Sequence, residues 1–69
     1  MTNDELKEAL QSGRHVIYKH PDGRETEYKG VTAIIYRQRN GRIKVSAEIE
    51  DINAPSVIVC DPAKIRFKE

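Results

Sequence analysis

The chain has no tryptophan, one phenylalanine (Phe67), one cysteine (Cys60) and no apolar run of membrane-spanning length in its 69 residues. Each absence excludes something. Without Trp, and with a single Phe, the core must be aliphatic, with Tyr18, Tyr28 and Tyr36 as its only other aromatics. A lone Cys60 rules out an internal disulfide, and together with two histidines it does not give the spacing of a structural zinc site. The opening MTNDELKEAL lacks the basic start and apolar stretch of a signal peptide. These features lead us to expect a soluble protein of the reducing cytoplasm with no membrane partner. Walker A, GxGxxG, HExxH and GxSxG sequences are all missing. The expectation is therefore a protein that is not an enzyme and carries no cofactor.

What is present fits one small domain spanning residues 1–69. With 38% hydrophobic and 33% charged residues, the chain lies near the lower limit at which a single core folds alone. Self-association would add stability at this size. The formal net charge of only +1 argues against long duplex DNA, because each neutralised phosphate calls for a cation. A short single-stranded RNA or a small anionic nucleotide needs few cations and stays compatible.

Thr2 followed by Glu5 has the spacing of a capping box, and Leu6, Ala9 and Leu10 recur at helical spacing until Gly13. This predicts one helix over about residues 3–12, too short to be stable without packing its apolar face. From there to about residue 68 the pattern is β-branched and aromatic, punctuated by turns. RHVIYKH reads as a strand and HPDGR as a tight turn. ETEYK runs through Gly30, a bulge or bend, into VTAIIYRQR. Asn40-Gly41 makes a two-residue hairpin turn, since both residues tolerate positive φ, and RIKVSAEIE returns from it. SVIVC, a 3₁₀ turn at DPAK and a closing strand IRFKE complete the chain. This element order resembles a five-stranded SH3-like small barrel with a long bent second strand. The leading helix makes it resemble the Sm-like variant.

A two-residue turn at Asn40-Gly41 sets Arg39 opposite Arg42, Arg37 opposite Lys44, Tyr36 opposite Val45 and Ile34 opposite Ala47. Alternation then gathers Ile34, Tyr36, Ile43, Val45, Ala47 and Ile49 on the core side and Arg37, Arg39, Arg42 and Lys44 on the other. Like charges directly opposite oppose pairing within a ~0.2–1 kcal/mol scale. Stability alone does not select such a tip. It reads either as a site for an anion or acidic partner, or as an exposed edge kept soluble by long charged side chains. Ala33 and Ile35 lie at the foot of the same face, as a ligand floor or beneath the helix, and Glu48 and Glu50 make that face dipolar.

Tyr18 and Tyr28, from the first hairpin, are candidate base-stacking residues, against the stronger reading that they close the barrel ends with their hydroxyls at the surface. Cys60 with His15 or His20 and Asp61 matches a nucleophile, base and orienting group by residue type only. Its apolar run instead points to an inert buried thiol. The pairs Glu25/Glu27 and Glu48/Glu50 lack a surrounding His/Asp cluster and read as solvated strand faces.

The stretch from VIYKHPDGRETEYKGVTAIIYRQRNGRIKVSAEIED to SVIVCDPAKI resembles small phage and prophage proteins of Gram-positive bacteria. The resemblance implies a short accessory protein acting by stoichiometric binding, for example a counter-defence inhibitor that occupies a host protein or a nucleotide signal. Two other functions remain open. One is an Sm-like RNA-binding oligomer, with SVIVC and IRFKE pairing between subunits. The other is a structural or virion-assembly adaptor with no anion preference.

Overall fold

The computed structural model describes all residues 1–69. Helix α1 spans Asn3–Ser12. Its first turn is closed by reciprocal bonds: the Thr2 hydroxyl accepts from the Glu5 N–H at 3.2 Å, and the Glu5 carboxylate accepts from the Thr2 N–H at 2.8 Å. Gly13 ends the helix at φ 69°, where its N–H donates to the Ala9 carbonyl. Leu6 and Ala9, three residues apart on one helical face, are fully buried. Burying the Leu6 side chain contributes about 2 kcal/mol toward holding a helix that is too short to be stable alone.

Six strands follow: β1 (Val16–Lys19), β2 (Glu25–Tyr28), β3 (Gly30–Arg39), β4 (Arg42–Glu50), β5 (Val57–Cys60) and β6 (Ile65–Phe67), with the 3₁₀ turn η1 (Pro62–Lys64) before the last. They form two antiparallel three-stranded sheets, ordered β2-β1-β6 and β3-β4-β5. This corrects the expected five-stranded barrel: there are six strands, and no closed barrel is found. The extra strand arises because the long bent strand is divided at Lys29, so that β2 joins one sheet and β3 the other. Gly30 stands at the division with a negative φ, so handedness is not what requires glycine there. Close approach is: a Cβ at Gly30 would lie 3.2 Å from the Arg14 carbonyl oxygen. The expected bulge falls two residues later, at Thr32, between the Val31–Ile49 and Ala33–Glu48 pairs.

The core sits between the helix and the two sheets. Leu6 and Ala9 meet Val16, Tyr28, Val31, Ala47, Ile49, Cys60 and Ile65, with Met1, Tyr18, Ile34, Val45 and Phe67 at its fringe. Local chemistry fixes the corners around it. Asp22 accepts from the Arg24 N–H in the first turn, and Asp61 accepts from the Ala63 N–H to cap η1. A three-residue cluster ties the entry to β1, β2 and the chain end together: Glu27 accepts from His15 at 2.6 Å and from Lys68 at 2.8 Å. The bond from His15, reinforced by Lys68, holds the Glu27 carboxyl below the usual range.

Candidate functional site

Asn40 and Gly41 adopt φ 52° and 75°, the paired positive values of a two-residue hairpin turn. The resulting register is the one the sequence dictates: Arg39 faces Arg42, Gln38 faces Ile43, Arg37 faces Lys44, Tyr36 faces Val45 and Ile34 faces Ala47. Arg37, Arg39, Arg42 and Lys44 are therefore gathered on one face of the hairpin tip, and all four are exposed.

Their ion pairing separates them from the rest of the molecule. Arg14 pairs with Glu8 at 3.5 Å, Arg24 with Asp22 at 2.7 Å and Arg66 with Glu25 at 3.1 Å. Arg14 also lies 4.0 Å above the Phe67 ring. Arg37, Arg39 and Arg42 have neither a carboxylate nor an aromatic partner. Lys44 is less telling, because most of the other lysines are unpaired as well. Three guanidinium forks on one short ribbon, each with its donors free, can bind carboxylate or phosphate bidentately.

The reverse face of the tip corrects an expectation. Tyr36, Ile43 and Val45 lie on the side that the core occupies further down, yet Tyr36 is 55% exposed, Ile43 is 72% exposed and Val45 is only half-buried. The cause is length. β3 and β4 hold ten and nine residues, whereas β1, β2 and β6 hold four, four and three, so the second sheet ends before the hairpin does. The tip is thus an arm with a cationic face and an apolar, aromatic one. Sequence alternation gave the faces correctly. It could not show where the cover stops.

Tyr18 and Tyr28 do not join the cations. Tyr28 is buried in the core, where desolvation, aided by the charge of Asp51, raises its hydroxyl pKa. Tyr18 is half-buried, edge-on to Tyr28 at 6.2 Å and to His20 at 4.7 Å between ring centroids. Both belong to the β2-β1-β6 sheet, whereas the cations of the arm belong to β3 and β4 of the other sheet. Tyr36 is the exposed tyrosine, and it projects from the face opposite the cations.

The other candidate groups are engaged elsewhere. Cys60 is buried, and desolvation pushes its thiol up to about 11, which suits packing rather than nucleophilic attack. His15 is held by Glu27 and His20 by Thr26 at 2.8 Å. Asp61 caps η1. No three His, Cys, Asp or Glu side chains converge as a metal site. Ala33 and Ile35 are half-buried but stay outside the cluster that α1 joins. The two surface clefts are small. One of about 120 Å³ lies between β1 and η1, and one of about 280 Å³ follows β4. Both fall short of the ~300–1,000 Å³ usual for small-molecule sites, and neither includes an arm residue.

One further exposed feature is β5. It pairs with β4 alone, and Val57, Ile58 and Val59 are exposed along it. No helix is long and apolar enough to cross a membrane. Comparison with known protein families, curated proteins and solved structures finds no match to this chain.

Proposed function

We propose that the chain is a non-enzymatic binding protein that acts by stoichiometric occupation of an acidic surface on another protein, with the β3–β4 arm as the contact. The observation that carries this reading is the partition of the arginines: those of the body are paired, and those of the arm are free and adjacent. A protein groove suits the arm better than a nucleotide does. The arm offers cations on one face and Tyr36 with Ile43 on the other, so two walls of different chemistry can be read at once. A nucleotide would need its phosphates and base on the same side, or a pocket. Charge complementarity of this kind raises the association rate and specificity. The resemblance to phage and prophage proteins gives the reading its biological sense, a cytoplasmic counter-defence inhibitor that covers a host protein.

A second reading, an Sm-like RNA-binding oligomer, is favoured by one observation, the open and apolar β5 edge. Division of a bent second strand at Lys29 is compatible with an SH3-like plan whose sheets remain open. This reading expects a stable ring and RNA bound in a strongly salt-dependent way.

Matched capture from bacterial extract with the wild-type chain and with R39E/R42E tests the first reading. An acidic protein retained by the wild type and lost from the variant, with circular dichroism unchanged, is the expected result. Equal capture by both baits, or capture of RNA alone, contradicts it.

A further inference from the structure

β4 reads Arg42-Ile-Lys44-Val-Ser46-Ala-Glu48-Ile-Glu50, and about Ser46 its outward residues form a charge palindrome of opposite sign. Lys44 and Glu48 stand two positions either side of Ser46, and Arg42 and Glu50 stand four. All share the face turned away from the core, since Ala47 and Ile49 are the buried alternates. None of the four has an ion-pair partner within the chain. We propose that this face binds a second copy of the chain, the β3–β4 hairpins stacking antiparallel about a two-fold axis that passes over Ser46.

The axis lies between the two stacked sheets, perpendicular to the strands. It sets Lys44 of each copy over Glu48 of the other, and Arg42 over Glu50, so every outward charge of β4 meets its opposite. Beside Ser46 the register places Ile35, and beside Glu48 it places Ala33. Both are half-buried, so an apolar strip runs through the centre of the contact, and the small Ser46 side chain allows close approach on the axis. On the other flank Val59 pairs with Glu48 and Val57 with Glu50. The partner's Lys44 and Arg42 stems lie over these exposed valines while their charged ends reach the carboxylates. Thr32, the bulged residue, donates to the Glu48 carboxylate at 2.8 Å and holds it on this face.

The nine residues of β4, with β3 along one side and the four residues of β5 beside one half, give a footprint of at most about 30 by 14 Å. Counted on both copies, that is below the ~1,200 Å² of total buried area found in stable interfaces, so the dimer belongs to the weak, reversible class. It also shares its cations with the arm proposed to dock an acidic protein. Self-association therefore covers Arg42 and Lys44 until such a partner displaces the second copy. The dimer does not depend on that docking reading, because it follows from the charge order of β4 alone.

The test is sedimentation velocity, with native mass spectrometry, on the wild type and two charge variants. R42E/K44E makes the outward face of β4 acidic throughout, and E48K/E50K makes it basic throughout. The wild type is expected to dimerise at low ionic strength and to weaken at least ~10-fold in about 1 M salt, where the screening length falls to ~3 Å. Each variant alone is expected to be monomeric, and an equimolar mixture of the two to give a heterodimer. That recovery also shows that both variants remain folded. A wild type that stays monomeric at high concentration and low salt overturns the proposal, as does a mixture that fails to associate. So does a dimer that survives both reversals, which would place the contact on the uncharged β5 edge.

Discussion

At the base of β4, Ile49 is fully buried against the helix and both sheets. Nearer the turn on the same strand and the same face, Ile43 is 72% exposed. Residue type, strand and face are alike at the two positions; the surroundings differ, since Ile49 is paired by both β3 and β5 under the helix and Ile43 by β3 alone. The base of the hairpin belongs to a folding unit in which every arginine is matched, whereas the tip leaves cations and apolar groups in water with nothing from its own chain to satisfy them. Such a division fits the proposed reading, in which the base serves stability and the tip serves contact with another protein.

The largest effect that would break this comparison comes from truncating the two isoleucines. I49A should lose about 2–5 kcal/mol, as large-to-small changes at fully buried sites do. That is a large share of the ~5–15 kcal/mol that holds a domain together. I43A should stay within about 0.5 kcal/mol, the range of exposed substitutions. Urea denaturation of both variants measures the difference, and equal losses would mean that the tip is packed after all.

A smaller effect sharpens the boundary between the two sheets. G30A should lose about 1 kcal/mol, because the new Cβ meets the Arg14 backbone carbonyl at 3.2 Å and the neighbouring chain must shift. Thermal unfolding reads this loss, and no loss would show that the division at Lys29 tolerates a wider spacing.

The smallest effect concerns the paired body alone. Because the Glu27 carboxyl is held below its unfolded value, the cluster with His15 and Lys68 stabilises the fold at neutral pH. That contribution is lost as pH falls through the lowered folded value. E27Q should therefore be slightly less stable than the wild type at neutral pH, and the two should converge in acid. Melting temperatures across that range check it, and a constant gap between the two curves would remove the cluster from the account.

Much of the scaffold was legible because local chemistry decides it. The Thr2/Glu5 capping box, the αL Gly13, the Asp22-Gly23 turn, the Asn40-Gly41 register and the Asp61-Pro62 cap all follow from residues a few positions apart. What could not be read depends on distant elements. The alternation of Ile34, Tyr36, Ile43 and Val45 marks a shared face, but burial of that face requires a second sheet long enough to reach it. The division at Lys29 and the bulge at Thr32 likewise depend on where β4 lies, and Gly30 alone signals only that something happens nearby. For the site, Arg37, Arg39, Arg42 and Lys44 came together as expected. Tyr18 and Tyr28 proved to be on another sheet, and the exposed Tyr36 went unrecognised because its period matched the core.

The central claim is that the cations of the tip are kept for binding at some cost to pairing within the hairpin. R37E/R39E tests it in one variant, because it turns the Arg37–Lys44 and Arg39–Arg42 pairs into opposite charges. Urea denaturation and matched capture from bacterial extract, done on the same preparation, should show stability raised by about 0.2–1 kcal/mol per pair and the acidic protein partner lost. A variant that is less stable than the wild type, or that captures the same partner equally well, would contradict the account.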